Sequence, residues 1–164
     1  MGKIKFPSIP ELPIRVSVKA IIEKDGKVLL NRNKRGEFDT YGWPGGGQEW
    51  GETLEECLHR EVWEETCAEV VIRKPFCIVE LLPKEESARE GWPQGVFIFF
   101  LCSLKEGSQP RYPDSPGQFQ TAVEWLPIED VQNHWVGPWI NDYLLAWYRD
   151  EDIGFPIIVS RQDD

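Results

Sequence analysis

The sequence predicts a single domain of the mixed α/β class, in which helices flank a β-sheet. Three observations support this prediction: an alternating apolar pattern near the N-terminus, a helix-opening motif at Thr53, and an apolar helical stripe near residue 140. The 164 residues are enough for one domain, which at this size buries roughly 70% of the surface of its unfolded chain. We therefore place the domain at residues 14–160, after an N-terminal extension of residues 1–13.

The first two strands are predicted by apolar alternation followed by a turn signal. Apolar residues recur at every second position across residues 16–22, a period typical of a half-buried strand. Asp25-Gly26 then predicts a tight hairpin into the apolar run Val28-Leu29-Leu30. After Arg35 we expect a polar loop that leads to a Gly-rich turn at residues 43–47.

A helix is predicted directly after this turn. Thr53-Leu54-Glu55-Glu56 has the form of a capping box, in which the first and last residues hydrogen-bond each other's backbone and open a helix. Glu61, Glu64 and Glu65 stand at i, i+3 and i+4 in this helix, a spacing that brings the three carboxylates to one face.

The apolar residues of the helix indicate which face the carboxylates share. At 3.6 residues per turn, all three fall within roughly 100° of arc that also holds Leu54 and Cys57, so we expect them to point inward. The opposite, solvent side is predicted for Glu55, Glu56, His59, Trp63 and Thr66. Three inward carboxylates repel one another and lose hydration, so they require cations. Mg²⁺ or Mn²⁺, which favour oxygen ligands, is the expected cation.

The second half of the chain predicts a hairpin, a strand and a final helix. Residues 76–82 and 96–104 are apolar, β-rich runs separated by a long polar loop. Trp92 in that loop is interpreted either as surface packing or as a platform for a base. A strand is predicted at residues 121–126, and Gly137-Pro138 predicts the start of the last helix. Its core stripe is formed by Trp139, Ile140, Tyr143, Leu144 and Trp147.

Composition limits the classes of function. The net charge of −10 argues against a nucleic-acid or anionic-membrane surface, whereas a small phosphate substrate is compatible because metal ions would bridge an acidic cleft and an anion. The four cysteines form no Cys-x-x-Cys pair, and His59 and His134 stand far apart, so reduced thiols are expected instead of a zinc site. Residues 1–13 contain no continuous apolar run, so we expect no signal peptide, no membrane span and a cytoplasmic location.

The segment from Gly46 to Ala68 resembles the Nudix box, Gly-x5-Glu-x7-Arg-Glu-U-x-Glu-Glu-x-Gly-U, where U is aliphatic. The matching residues are Gly46, Glu52, Arg60, Glu61, Val62, Glu64 and Glu65. Cys67-Ala68 stands in place of the closing Gly-U of the family. Trp43-Pro44-Gly45 and Glu124-Trp125-Leu126-Pro127 also look like the family's entry loop and late strand. A match of this length and spacing is far more specific than a Gly-rich loop alone.

The resemblance implies the fold and the activity of the Nudix hydrolases. The fold would be an α/β/α sandwich with a mixed β-sheet. The activity would be hydrolysis of a diphosphate linkage in a nucleoside diphosphate linked to a variable moiety X. The Mg²⁺ or Mn²⁺ would be held by the backbone carbonyl of Gly45 and by the carboxylates of Glu61, Glu64 and Glu65. Nudix proteins are often dimers, so a homodimer is compatible with the resemblance.

Further roles are expected for residues of the box and its surroundings. Arg60 is permanently charged and cannot act as a base, so a bidentate bond from it would fix a neighbouring carboxylate, and Glu52 is placed for a similar supporting role. The expected catalytic set is Glu52, Arg60, Glu61 and Glu64. Arg32 is interpreted either as part of a solvated basic loop or as a phosphate contact. The residue that activates water is left open among Glu61, Glu64, Glu85, Glu86 and Asp114.

Two other classes of function compete with the hydrolase. A Nudix-fold sensor module would hold a nucleotide without cleaving it, and lost glutamates or an appended DNA-binding domain, neither of which is seen, would favour it. A purely structural domain would show no stabilisation by divalent ions. Among hydrolase substrates, an ADP-ribose-like sugar nucleotide ranks slightly ahead of an oxidised nucleoside triphosphate. Pro83, fifteen positions beyond Ala68, supports that order because its spacing resembles that of ADP-ribose pyrophosphatases.

Overall fold

The computed structural model describes residues 14–84, 87–88, 93–134 and 136–161. Within these ranges the chain forms a mixed sheet and two α-helices, as predicted. The elements are β1 (Arg15–Lys24), β2 (Lys27–Arg35), β3 (Phe38–Gly42), α1 (Leu54–Thr66), β4 (Val70–Leu82), β5 (Gly95–Leu104), β6 (Gln120–Pro127), α2 (Asn141–Tyr148) and β7 (Ile157–Arg161). Short 3₁₀ turns lie at Ile128–Asn133 and Pro138–Ile140.

The strand order is β3-β2-β1-β5-β4-β7, with β6 paired to β2 as well. The pairs β1–β5 and β4–β7 are parallel, and the other pairs are antiparallel. β1 and β2 pair only beside their turn, at Glu23 with Val28 and Lys24 with Lys27. Beyond these residues the two strands diverge, which leaves one edge of β1 open to another partner.

Apolar side chains pack on both faces of the sheet and form two cores. The first core lies under α1 and comprises Val18, Ala20, Ile22, Leu29, Cys57, Leu58, Val62, Ala68, Val70, Phe100 and Cys102. The second lies on the side of α2 and includes Ile21, Val28, Leu30, Trp43, Phe76, Val79, Phe99, Ile128, Val131, Ile140, Leu144 and Leu145. A helix on each face of a mixed sheet is the predicted α/β/α sandwich. Neither helix in the described residues has the length and apolar character needed to cross a membrane.

The first hairpin is confirmed down to its turn. Asp25 and Gly26 have φ angles of 51° and 74°, both in the left-handed region. Two left-handed central residues define the type I′ turn, whose twist matches that of the strands it joins. The hairpin formed by β4 and β5 is also confirmed. The stretch between those strands contains Trp92, which lies outside the described residues.

Two strands were not predicted, and both lie where apolar alternation is weak. The expectation of a polar loop after Arg35 is wrong, because residues 38–42 form β3 against β2. β7 pairs with β4 at an edge of the sheet and exposes Ile157 and Val159. Such edge strands are stabilised by backbone pairing with a neighbouring strand of the sheet, which leaves little signal in their own sequence.

The last helix begins later than the Gly137-Pro138 pair predicts. Gly137 has a φ of 53°, which is not the extended conformation of an N-cap residue, and a 3₁₀ turn separates it from α2. The predicted core stripe is largely correct, since Ile140 and Leu144 are fully buried. Tyr143, however, is 37% exposed.

Helix α1 begins and ends with the two caps that its sequence implies. The hydroxyl of Thr53 accepts from the Glu56 backbone N–H, and the Glu56 carboxylate accepts in return from the Thr53 N–H. At the other end, Cys67 has φ 52° and ψ 24°, a left-handed conformation, and its N–H donates to the Trp63 carbonyl at 2.8 Å. The closing Gly of the box therefore corresponds here to a left-handed residue that carries a side chain.

The prediction that Thr66 faces solvent is wrong. Its side chain is fully buried, and its hydroxyl donates to the Val62 carbonyl at 2.7 Å. The Arg111 N–H donates to the Thr66 carbonyl, so the segment before β6 covers this end of the helix. A helical wheel drawn for an isolated helix does not include such a covering segment.

We predict that Cys67→Gly raises the free energy of unfolding by up to about 1 kcal/mol. A left-handed conformation destabilises a non-glycine residue by roughly 1–2 kcal/mol, and the greater freedom of glycine in the unfolded chain offsets part of this gain. Urea denaturation of the parent and of Cys67→Gly measures the difference. Cys67→Ala, which keeps the Cβ atom but lacks the thiol, is the control. A destabilised Cys67→Gly would show that the packing of the thiol outweighs the relief of backbone strain.

Candidate active site

The Gly-rich loop occupies the edge of β1 that β2 leaves open. The N–H groups of Val18 and Ala20 donate to the carbonyls of Gly46 and Pro44 at 3.0 and 2.8 Å. The Gln48 N–H donates back to the Val16 carbonyl at 3.0 Å. The loop is thus held as a short extra strand beside β1, with its carbonyl groups close to α1.

Two glycines of the loop lie where a Cβ atom would meet a neighbouring group. Gly45 has a φ of 129°, and a Cβ atom there would lie 2.2 Å from the Val18 carbonyl oxygen. A Cβ atom on Gly46 would lie 2.4 Å from the carboxylate of Glu61. Glycine at these positions therefore allows the loop backbone to approach both β1 and the acidic face of α1.

A cavity of about 340 Å³ opens where β1, the loop and α1 meet. It is lined by Arg15, Ser17, Lys19, Gly45, Gly46, Gly47, Glu61, Glu65 and Phe97. The carboxylates come from the helix, the two cations from one face of β1, and the peptide groups from the loop. Opposite charges and backbone oxygens thus converge on one space.

Glu65 is the most enclosed carboxylate of this site. Its Oε2 accepts from Asn31 Nδ2 at 2.6 Å and from the Gly45 N–H at 2.9 Å. Burial raises the pKa of Glu65, while the positive charge of Lys19 and the Gly45 N–H oppose that rise. Asn31 was not singled out in the sequence, although a polar residue that closes the buried run Val28-Leu29-Leu30 is a usable signal.

Lys19 is the cation nearest to this carboxylate. Its Nζ donates to the Gly45 carbonyl and, at 3.3 Å, to the Trp43 carbonyl. Burial lowers the pKa of Lys19, and the negative charges of Glu65 and Glu61 counteract that effect. Lys19 was not identified as a site residue because it occupies an ordinary polar position in an alternating strand.

Arg60 makes a bidentate bond to a carboxylate, as the sequence predicts, and its partner is Glu52. Arg60 Nε and Nη2 donate to the two oxygens of Glu52 at 2.5 and 2.9 Å. Arg60 Nη1 donates to Glu61 Oε1 at 2.8 Å, and Nη2 donates to the Gly47 carbonyl at 3.2 Å. The Arg60 guanidinium lowers the pKa of Glu52 to about 2, with help from the Glu49 N–H. One arginine therefore fixes Glu61 against the loop.

The prediction that Glu64 points inward is wrong. Its side chain is 57% exposed, against 16% for Glu61, and it pairs with Arg60 at 3.6 Å. Glu64 lies at the edge of the carboxylate arc, so it is the member that the core covers least. Among the described residues, no group of three His, Cys, Asp or Glu side chains is close enough together to hold a metal ion.

The two arginines near the site differ in their partners. Arg32, the predicted phosphate contact, pairs with Asp39 at 3.0 Å and with Glu124 at 3.3 Å. Because its neighbour Asn31 faces Glu65, alternation along β2 turns Arg32 to the other face. Phosphate contact by Arg32 remains a prediction. Arg15 lines the cavity, and its guanidinium has no hydrogen bond or ion pair with any other described residue.

The candidates for a general base have different positions. Glu85 and Glu86 lie outside the described residues. The side chain of Asp114 is 91% exposed, pairs with Arg111 at 3.5 Å and does not line the cavity. Of the three candidates within the described residues, Glu61 is the one that lines the cavity, and the identity of the base stays a prediction.

The residues on the cavity wall fit a divalent cation in their chemistry. The Gly45 carbonyl and the carboxylates of Glu61 and Glu65 are the hard oxygen donors that Mg²⁺ and Mn²⁺ favour. The loop reaches this position because Gly46 lacks the Cβ atom that would displace Glu61.

The comparison with protein families agrees with this arrangement. The model of the NUDIX domain matches residues 12–148. The chain belongs to the Nudix family. This confirms the resemblance of the segment from Gly46 to Ala68, in spite of Cys67 at the position of the closing glycine.

Three relatives of the chain illustrate the range of this family. The chain is 50% identical over 52 residues to an ADP-ribose pyrophosphatase of Methanocaldococcus jannaschii, and this match covers 31% of each of the two chains. A NUDIX hydrolase structure from Nitrosomonas europaea aligns with a TM-score of 0.66 at 20% identity, covering 84% of this chain and 90% of that one. An ADP-ribose pyrophosphatase structure from Streptococcus suis aligns with a TM-score of 0.61 at 17% identity, covering 90% and 100%. The chain spans about a third of the length of the curated relatives that it matches.

We predict that Glu52 contributes to the acid sensitivity of the fold. Its pKa is about 2 in the folded protein against a usual 4.5, so its stabilising pair with Arg60 is fully formed above pH 4.5. The stabilisation is lost as pH falls from about 4.5 through about 2. Glu52→Gln should therefore show a shallower loss of unfolding free energy across this range in urea titrations. Glu55→Gln, which changes an exposed carboxyl in the first turn of α1, should keep the slope of the parent; equal slopes in all three proteins would contradict the assignment.

Proposed function

We propose that this protein is a metal-dependent hydrolase that cleaves the diphosphate linkage of a nucleoside diphosphate linked to a moiety X. The observation that carries the proposal is the convergence of Glu61, Glu65 and the Gly45 carbonyl on one cavity that also presents Arg15 and Lys19. Acidic and carbonyl oxygens suit a divalent cation, and cationic side chains suit a phosphate. The family of the chain supports the same reaction.

The proposed metal site uses Mg²⁺ or Mn²⁺ and the ligands Gly45, Glu61, Glu64 and Glu65. When bound, such a cation supplies polarisation of phosphoryl oxygens and lowers the pKa of a bound water. Glu64 would join the other ligands by a change of rotamer, because its exposed side chain is held only by the 3.6 Å pair with Arg60. Its exposure leaves room for that movement.

The other residues of the site hold the carboxylates in place. Arg60 binds Glu52 by two hydrogen bonds and Glu61 by a third, so Glu61 keeps one orientation towards the loop. Asn31 and the Gly45 N–H do the same for Glu65 from the opposite side. Rigid support of this kind keeps charged ligands ready to act without reorganisation during the reaction.

The cavity also favours certain contacts with the substrate. Arg15 is the guanidinium that faces the cavity without a partner among the described residues, and we assign it a phosphate oxygen of the substrate. Phe97 lines the same cavity and stacks on Trp139, with ring centroids 6.1 Å apart and an interplanar angle of 20°. This aromatic pair offers a flat apolar wall to the organic part of the ligand.

For the moiety X we favour an ADP-ribose-like sugar nucleotide over an oxidised nucleoside triphosphate. The support consists of the two relatives named as ADP-ribose pyrophosphatases and of the position of Pro83. The expectations of a small-molecule substrate without nucleic-acid or membrane contact, of a homodimer, and of domain limits at residues 14 and 160 remain predictions.

We predict that the parent protein hydrolyses at least one nucleotide sugar, dinucleotide or damaged nucleotide in a panel assay that contains Mg²⁺. Glu61→Gln and Glu64→Gln should each reduce turnover by at least about 10²-fold, or roughly 2.7 kcal/mol, because each loses one ligand charge. Glu55→Gln should retain parental turnover.

Three results of this assay would lead to other conclusions. Tight nucleotide binding without cleavage of any panel member would favour the sensor module. Full turnover by Glu64→Gln would remove that residue from the metal site while leaving the enzyme. Cleavage of nucleoside triphosphates alone would reverse the substrate order.

We predict that Arg15→Gln raises the KM of the preferred substrate about tenfold and changes kcat little. Its contact is with a phosphate that is bound equally in the ground state and the transition state. Arg32→Gln is the matched control, since it removes the same charge from a residue already paired with Asp39 and Glu124. If Arg32→Gln raises the KM and Arg15→Gln keeps the parental KM, the phosphate contact belongs to Arg32 and not to Arg15.

A further inference from the structure

We propose that Lys19 competes with the divalent cation for the Gly45 carbonyl oxygen and thereby limits the metal affinity of the site. The inference rests on the proposed function, since it concerns the cation that the hydrolase would use. It assigns Lys19 as a positioning residue that limits metal affinity.

One contact of Lys19 is with a proposed metal ligand. Its Nζ donates to the carbonyl of Gly45, the backbone ligand assigned to the metal, and to the carbonyl of Trp43 at 3.3 Å. Its charge acts on Glu65 and Glu61, the two carboxylates that line the cavity. The ammonium group thus occupies the Gly45 carbonyl oxygen and partly neutralises Glu61 and Glu65, as a bound metal ion would.

The position of Lys19 is fixed by the backbone on both sides of it. The N–H groups of Val18 and Ala20 donate to the loop carbonyls of Gly46 and Pro44. The Cα of Lys19 is therefore held opposite Gly45, and only its side chain is able to move. A cation that takes the Gly45 carbonyl must displace the ammonium group from that oxygen atom.

The electrostatic consequence follows from the two roles of the ammonium group. It partly neutralises Glu61 and Glu65, so the attraction of these carboxylates for a second cation is weaker. Two positive charges within a few ångströms of each other also repel, and the repulsion is large in a site partly shielded from water. Removal of the Lys19 charge should therefore strengthen metal binding.

The direct test is the affinity of the whole protein for Mn²⁺ without substrate, measured by isothermal titration calorimetry and by the electron paramagnetic resonance signal of free Mn²⁺. We expect Lys19→Met to bind Mn²⁺ at least tenfold more tightly than the parent, equivalent to about 1.4 kcal/mol. Lys19→Gln loses the charge but keeps a donor for the Gly45 carbonyl. It should show the same gain and provides the test if Lys19→Met fails to fold.

The matched control is Lys24→Met, which removes the same charge from an exposed position at the end of β1. It should leave the Mn²⁺ affinity at the parental value, because Lys24 does not line the cavity. A gain in both variants would indicate an effect of net charge and would overturn the proposal.

Thermal unfolding gives an independent readout. Without metal, Lys19→Gln should melt below the parent, because Glu65 loses its neighbouring cation. With saturating Mn²⁺ its melting temperature should rise by more than that of the parent, since stabilisation by a ligand increases with affinity. Unchanged or weaker Mn²⁺ binding in both Lys19 variants would show that Lys19 supports the metal site or is indifferent to it.

Failure of this inference is distinguishable from failure of the proposed function. If the parent cleaves a panel substrate with Mg²⁺ but the Lys19 variants bind Mn²⁺ no more tightly, only the role of Lys19 is overturned. If the parent neither binds Mn²⁺ nor cleaves any panel member, the proposed hydrolase and the inference that rests on it are both overturned.

Discussion

The candidate site depends on the backbone pairing between β1 and the Gly-rich loop. β1 and β2 separate after two residue pairs, and the freed N–H groups of Val18 and Ala20 need acceptors because both residues are buried. The loop supplies those acceptors and is thereby fixed within reach of α1. At position 45 only glycine allows this approach, because a Cβ atom would meet the Val18 backbone. The sequence of the loop therefore matches the space that the divergence of the strands provides.

This pairing also places the carboxylates near α1 in two different electrostatic environments. Glu52 and Glu61 are balanced by Arg60, which also reaches the loop, and the pKa of Glu52 is lowered as a result. Glu65 lies deeper, where burial raises its pKa in spite of Lys19 and two N–H donors. Glu52 is thus kept ionised by Arg60, whereas burial disfavours the charged form of Glu65, and a bound cation would favour that form again.

The features that the sequence predicts well are local ones. The capping box at Thr53 and the turn at Asp25-Gly26 are each determined by a few adjacent residues, so no knowledge of distant partners is needed. The Nudix box likewise places Glu61 and Glu65 within one helix. In contrast, β3 is held by its pairing with β2, and the burial of Thr66 arises from contact with Arg111, which is far away in the sequence. A period of two or of 3.6 contains no information about such contacts.

Arg15 and Lys19, the cations of the site, were not predicted from the sequence for a related reason. Their position also explains how an acidic chain would accept a phosphate. A net charge of −10 repels an anion at long range, but salt screens this repulsion beyond about 8 Å at physiological ionic strength. Inside the cavity the electrostatic potential at a bound anion is set mainly by the nearest charges. Arg15 and Lys19 both line the cavity because side chains alternate along β1, so residues four apart lie on the same face. On the sequence they are two of many charged residues. Only the fold, by closing the loop against β1, makes them neighbours of Glu61 and Glu65 and gives the cavity both an acidic and a basic wall.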